Sequence, residues 1–303
     1  MITSALVVGF GSIGRRHFKI LSNILGKDNV VVLSSQEKLP INSINSLDKI
    51  PQDINYVVIA NETEKHLRYL DFIVSNTDIK TILVEKPLFE DSYEFDSKGR
   101  SIYVGYNLRF HPLVLKLRSE IINQNVQAVY CFCHSYLPDW RKERPIKESY
   151  SSSSKGGGVV LDLSHEIDLL LWLFGWLEID FVKIGNFSNL DIESEDSMFL
   201  SGHIENGSPV ELSLSYFSTI ERRQIHVVAQ ESTYIVDLVN NTIHSRDNSS
   251  QVSEYRLDPF DLNRTYVDQH NCILRDSADL NATLQDGLKV NSFIKKIKHW
   301  TKT

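Results

Sequence analysis

Five short apolar runs punctuate the first third of the chain, at residues 4–9, 29–33, 55–60, 80–84 and 101–105. Each is β-branched and nearly continuous in apolar character, the pattern of strands buried on both faces. Between the first two, Ile13, His17, Ile20, Leu21 and Ile24 recur at a helical period, and Leu67, Leu70, Ile73 and Val74 do the same between the third and fourth. Strands alternating with helices in this way predict a parallel sheet with crossover helices. After residue 107 the pattern changes. Residues 126–136, 179–188, 195–205, 209–217, 222–230 and 233–239 read as longer strands, joined by turn signals such as Glu205-Asn206-Gly207-Ser208. Several alternate apolar with polar residues, which predicts a largely antiparallel sheet with one packed face. One strong helix runs from just after Gly156-Gly157-Gly158 to near Gly175, and helices over 261–275 and 283–299 follow. The expected fold class is α/β, with a doubly wound parallel sheet over residues 1–107 and a C-terminal α/β domain carrying an open, largely antiparallel sheet over 108–303. The low-complexity run 151–158 suits either a linker or an active-site loop.

Composition narrows the partners. With 42% apolar residues over 303 positions, a core for each of two domains is within reach. Lys and Arg number 32 against 39 Asp and Glu, a net charge of −7, which argues against nucleic-acid or acidic-membrane partners. The most apolar stretch, Leu169 to Leu177, falls well short of the roughly 18 residues of a membrane span. Three cysteines without a CxxC pair predict a reducing compartment, and the N-terminus lacks the order of a secretion signal, so a cytoplasmic protein is expected. Cys131 and Cys133 read as packing residues of a strand. No HExxH or Cys/His cluster is present, so no metal is expected. In the last helix Val290, Phe293, Ile294 and Ile297 share one face, as in a docked amphipathic helix.

Gly9-Phe10-Gly11-Ser12-Ile13-Gly14 is a complete G-x-G-x-x-G that follows the first strand and opens the first helix. In that setting Gly9 permits a tight turn, Gly11 lets the backbone approach a pyrophosphate, and Gly14 lets helix and strand pack closely. The free N–H groups around Ser12 and Ile13 then face the anion. The second strand ends in Ser34 and Ser35, where a carboxylate would mark a ribose 2′-hydroxyl. Lys38 with Arg15 or Arg16 can attract a 2′-phosphate, against Glu37, so of the two forms of NAD(P) the reading favours NADP. Asn61 and Glu64 fit a capping box, and the same loop lies at the carboxyl ends of the strands, so Asn61, Thr63 and His66 are read as cofactor contacts as well.

Glu85-Lys86-Pro87 follows the strand ending at Val84, which puts Glu85 and Lys86 at the sheet's carboxyl edge, where nicotinamide is expected. Lys86 there can donate to a substrate hydroxyl and stabilise alkoxide charge. On the later helix, Asp162 and His165 stand three apart, on neighbouring positions of one face, as orienter and general base. Trp140 can stack on a sugar, Arg141, Arg144 and Lys147 can meet a phosphate or carboxylate, and Asn107 and Tyr150 complete the predicted substrate contacts.

The segments GFGSIGRRH at 9–17, EKP at 85–87, GYNLRFHP at 105–112 and GGGVVLDLSHEIDLLLWLFG at 156–175 together resemble the Gfo/Idh/MocA family of NAD(P)-dependent oxidoreductases. The resemblance implies an N-terminal Rossmann domain, a C-terminal sheet that often forms a homodimer or homotetramer face, and hydride transfer at a carbon of a sugar-type substrate. It also implies that Lys86 contacts the reacting hydroxyl and His165 is the acid/base. The family's aspartate commonly stands four residues before that histidine, where this chain has Leu161, so Asp162 is displaced by one. Glu62 stands where the family often has proline, and the helix expected between 88 and 100 is shortened. Residues 136–150 are similar to a subgroup frequent in unusual-sugar metabolism. The expected function is an NAD(P)-dependent oxidoreductase acting on a secondary alcohol or ketone of a sugar. The rival is a dinucleotide-binding sensor or scaffold on the same fold.

Overall fold

A computed structural model describes residues 2–36, 38–140, 145–153, 156–275 and 279–301. The chain forms two compact units, residues 1–110 with 262–292, and residues 111–261 with 293–303.

The first unit opens with β1 (Ala5–Val8), α1 (Ser12–Leu25), β2 (Val30–Leu33), β3 (Ser43–Ile44), β4 (Tyr56–Ile59), α2 (Thr63–Asn76), β5 (Thr81–Val84) and β6 (Ser101–Val104). All six strands pair in parallel, in the order β6-β5-β4-β1-β2-β3. This is the doubly wound order of a Rossmann sheet. Its four inner strands are buried along almost their whole length, which is why their sequences read as unbroken apolar runs. Helix α1 turns Gly14, His17, Ile20 and Leu21 toward the interior. Between β5 and β6 no helix forms among the described residues. A cluster of Phe89, Tyr93 and Phe95, with ring centroids 5.8 and 6.0 Å from that of Phe89, occupies that crossover instead.

The second unit begins with α3 (Pro112–Ile121) and β7 (Val126–Tyr136), then α4 (Leu137–Trp140), α5 (Val159–Asp162) and α6 (Ser164–Phe174). Strands β8 (Leu177–Gly185), β9 (Ser197–Ile204), β10 (Pro209–Ser215), β11 (Phe217–Ala229), β12 (Ser232–Asp237), β13 (Thr242–Asp247) and β14 (Val252–Arg256) follow. The sheet order is β14-β13-β12-β11-β7-β10-β9-β8, antiparallel throughout except for the β7–β10 pair. In β7 the alternation turns Cys131 and Cys133 into the packed face. The helix after the glycine run departs from the sequence reading. The single helix expected from 159 to 175 is two, broken at Leu163 (φ −98°, ψ 28°). Of the two alternatives for the run 151–158, the linker is set aside by its described residues, which lie within the second unit. Ser151 and Ser152 are buried, and their carbonyls accept from Gly158 N–H, Ser194 Oγ and Glu193 N–H, at 3.1, 2.6 and 2.9 Å.

The chain then returns to the first unit through α7 (Asn263–Leu274), β15 (Ala282–Thr283) and the start of α8 (Leu284–Lys298). β15 adds an antiparallel edge beside β6. Gln269 Nε2 donates to the Val104 carbonyl at 3.0 Å, and Asn107 Nδ2 to Thr265 Oγ1 at 2.6 Å. A single linear cut at 107/108 cannot represent a segment that leaves and returns. Among the described residues, no helix is long and apolar enough to cross a membrane.

His111 caps α3 through a lone pair, its Nδ1 accepting from the Leu113 N–H at 3.2 Å. Burial, and secondarily the Arg223 charge, hold this imidazole down at about 4. The unfolded chain therefore binds the proton more readily between pH 6.5 and about 4, so this contribution to stability is present above 6.5 and lost as pH falls through that window. The shift corresponds to about 3 kcal/mol. We expect the melting temperature to fall across it, and His111→Asn, which keeps a cap acceptor that does not titrate, to flatten the fall.

Candidate active site

The glycine turn is built as its spacing predicts. Gly9 has φ +91°, and a Cβ there would lie 2.8 Å from the Asn61 backbone. A Cβ on Gly14 would stand 2.1 Å from the Gly9 carbonyl oxygen, so helix and turn touch. A Cβ on Gly11 would meet nothing within 4 Å. Gly11 also heads α1 with no side chain capping the first N–H groups. Ser12 and Ile13 begin that helix, so backbone donors open onto free space beside a partial positive charge.

The parallel ladder continues one step past the strand ends. Gly9 N–H donates to Leu33, Ala60 N–H to Val8, Glu85 N–H to Ile59 and Gly105 N–H to Val84, at 2.8 to 2.9 Å. The glycine turn, Asn61, Glu85 and Lys86 are thereby aligned along the carboxyl edge, across the switch point between β1 and β4. Asn61 is not a cap. Helix α2 starts at Thr63, its N-cap Glu62 makes no side-chain cap bond, and the Asn61 amide is buried with neither polar atom partnered among the described residues. An orphaned amide beside an open glycine turn suits a polar ligand. His66 is spent otherwise: buried, with Nδ1 at 3.2 and 3.1 Å from the Pro87 and Leu88 carbonyls and Nε2 at 3.1 Å from that of Asn61. It ties the Asn61 loop to the lysine loop, and Thr63 is buried in the first turn of α2.

Past β2, Ser34 Oγ accepts from the Gln36 N–H at 3.1 Å, Gln36 Nε2 donates to the Phe10 carbonyl at 3.1 Å, and Arg15 Nη2 donates to Gln36 Oε1 at 3.1 Å. The Arg15 guanidinium also lies over the Phe10 ring, 4.2 Å from its centroid. Ser34, the exposed Ser35 and a fixed arginine thus flank the turn, with no carboxylate between Ser34 and Gln36. Glu37 lies outside the described residues.

Glu85 Oε2 accepts from the Lys86 N–H at 3.2 Å, and the Lys86–Pro87 peptide is cis. Asn107 is buried on Thr265, and Arg109 finds its carboxylate in Asp286 at 3.3 Å. In the second unit, Asp162 ends α5 and His165 is the second residue of α6, so the break at Leu163 separates two residues that the sequence places on one helix. Asp162 Oδ2 accepts from the Tyr216 hydroxyl at 2.6 Å. Tyr216 is wholly buried between β10 and β11, and burial with the Asp162 charge pushes its phenol well up. Trp140, 42% exposed, packs edge-on against Tyr216 at 5.4 Å. The Tyr150 hydroxyl donates to the Gly156 carbonyl. Arg141 and Arg144 lie outside the described residues, and Lys147 pairs with Asp191 at 2.6 Å on the surface. Tyr216 has no signal in the sequence, being one aromatic between two strands.

Residues 121–235 match the family model described as the GFO/IDH/MocA C-terminal domain, which bears out the resemblance carried by the motifs. The chain is 24% identical, over 255 residues covering 78% of it and 75% of the relative, to a UDP-N-acetylglucosamine 3-dehydrogenase of Acidithiobacillus ferrooxidans. A solved structure of that dehydrogenase superposes with a TM-score of 0.80 at 18% identity, covering 100% of this chain and 98% of the other. Levoglucosan dehydrogenase in complex with NADH superposes with a TM-score of 0.82 at 15% identity over 98% and 96%. These structural likenesses establish the fold.

Proposed function

We propose that this chain, which carries a GFO/IDH/MocA C-terminal domain, is an NAD(P)-dependent oxidoreductase acting on a secondary alcohol or ketone of a sugar or nucleotide-linked sugar. The observation that carries the reading is the glycine turn. Gly9 and Gly14 are sterically required, Gly11 faces open space, and the buried Asn61 amide beside it lacks a partner among the described residues. These residues fit a dinucleotide: the N–H groups at the start of α1 hold the pyrophosphate, and Asn61 and Glu85 border its path. When bound, the nicotinamide ring supplies the site that accepts or returns a hydride.

The chain's own groups handle the oxygen. Lys86 donates to the substrate oxygen and stabilises the negative charge that grows there, and His165 takes or returns the hydroxyl proton. Asp162, held by Tyr216, sets the electrostatics around His165, and Trp140 offers a ring for a sugar face. The sugar class rests on the relatives' names, a UDP-N-acetylglucosamine 3-dehydrogenase and a levoglucosan dehydrogenase. Incubation with NAD⁺ or NADP⁺ and pools of sugars and UDP-sugars is expected to raise reduced-nicotinamide absorbance with one pool. Nucleotide binding without turnover in either direction favours the sensor reading.

Of the two cofactors we favour NADP on this chain's residues, since Arg15 is fixed beside Ser34, whereas two solved neighbours hold NADH or NAD. Arg15→Ala is expected to weaken NADPH binding about ten-fold while leaving NADH within a few-fold, from the loss of one charge-assisted hydrogen bond. Equal losses for both nucleotides would contradict the preference. We further place the protein in the cytoplasm as a homodimer or homotetramer through the second sheet. On that sheet's outward face Arg222 stacks on Phe132 at 3.6 Å, and Phe199 is exposed.

A further inference from the structure

Behind Glu85 lies a chain of buried polar groups, Tyr56, His270 and His17, that the proposed chemistry leaves unused. The Tyr56 hydroxyl is 3.0 Å from His270 Nδ1, His270 Nε2 is 2.8 Å from His17 Nδ1, and His17 Nε2 is 2.8 Å from Glu85 Oε1. The other Glu85 oxygen accepts from the Lys86 N–H. All four side chains are buried and come from separate elements: β4, α7, α1 and the loop after β5. Gly105 leaves room for the carboxylate, since a Cβ there would come within 3.0 Å of it.

Counting donors gives the chain a direction. A carboxylate only accepts, so the proton between Glu85 and His17 sits on His17 Nε2. In a neutral ring His17 Nδ1 is then an acceptor, which puts the next proton on His270 Nε2. His270 Nδ1 accepts in turn, from the Tyr56 hydroxyl. Every buried group in the line is satisfied by two neutral imidazoles of the same tautomer. Burial holds His270 well below the ordinary histidine range, which keeps that ring neutral.

We propose that Glu85 is the positioning residue of Lys86, held by a one-way chain of hydrogen bonds running from Tyr56 through His270 and His17. With both oxygens engaged, the carboxylate fixes the peptide that precedes Lys86 and therefore the direction in which the lysine leaves the sheet edge. The inference rests on the proposed role of Lys86. It also explains why a segment as distant as α7 returns to the first unit, because His270 supplies the middle link.

The test uses the full chain and nitrogen-15 NMR of the histidine rings. In the wild type, His17 and His270 are expected as neutral Nε2–H tautomers at neutral pH. Nδ1–H tautomers, or rings protonated at neutral pH, would overturn the chain. Tyr56→Phe removes only the first donor. It should shift the His17 ring signals as well as those of His270, and a His17 spectrum unmoved by it would mean separate contacts. Glu85→Gln leaves one acceptor oxygen for two donors, so either the Lys86 amide loses its acceptor and its hydrogen exchange quickens roughly ten-fold, or the oxygen stays on Lys86 and the NH₂ group turns the His17 and His270 rings to their Nδ1–H tautomers. Unchanged exchange at Lys86 together with unchanged ring tautomers in that variant would end the positioning role. A nicotinamide titration of the same samples reports on the functional reading separately, since the tautomers are expected whether or not nucleotide binds.

Discussion

Gly11→Ala is expected to leave the fold intact and cut nucleotide affinity at least about ten-fold, whereas Gly14→Ala should damage both. The outcomes differ because of what a methyl group would meet at each position. At Gly11 the backbone is extended (φ −75°, ψ −164°), a conformation open to any residue, and the methyl would point into empty space. That space is where the proposed pyrophosphate site lies, so the methyl is expected to obstruct the ligand and nothing else. At Gly14 the methyl would lie 2.1 Å from the Gly9 carbonyl oxygen, so α1 or the turn must move, at a cost of about 1–3 kcal/mol. Thermal melting and a nicotinamide fluorescence titration on both variants separate the outcomes. A Gly11→Ala protein that binds like the wild type would place the nucleotide elsewhere.

Lys86→Ala and His165→Ala are each expected to reduce turnover by about 10²–10⁴-fold, with cofactor affinity within a few-fold of the wild type. Lys86 follows Glu85 at the carboxyl edge, and His165 stands in the first turn of α6, half-buried. Neither belongs to the glycine turn, so removing one should spare the dinucleotide. Asp162→Asn should cost less, because an amide oxygen can still accept from Tyr216. Loss of cofactor affinity in both alanine variants would make Lys86 and His165 structural.

What was legible in the sequence follows from how local each signal is. Strands β1, β4, β5 and β6 announce themselves because burial on both faces demands unbroken apolar runs. The glycine turn is legible because its three glycines answer three steric demands within six residues. β14 escaped because all five of its residues are exposed, so no alternation marks it. The break at Leu163 escaped because the apolar period continues through it. His17 shares the helical period of the apolar residues of α1 and is buried with them, and a buried histidine needs partners. Those partners, Glu85 and His270, are 68 and 253 residues away, beyond any local pattern. Tyr216 meets Asp162 only through the sheet that brings residues 54 apart together.

The central claim is a hydride passed between nicotinamide and a sugar carbon, and deuterium tests it most directly. NADPH and NADH deuterated at C4 of the nicotinamide ring, in either configuration, would be incubated with the protein and pooled keto-sugars and keto-UDP-sugars, and the products read by mass spectrometry. One deuterium bound to carbon in one sugar is the result this account predicts, together with its disappearance in His165→Ala. Tight nucleotide binding with the label still on nicotinamide, and none in any sugar of a pool that supports turnover by related dehydrogenases, would contradict it.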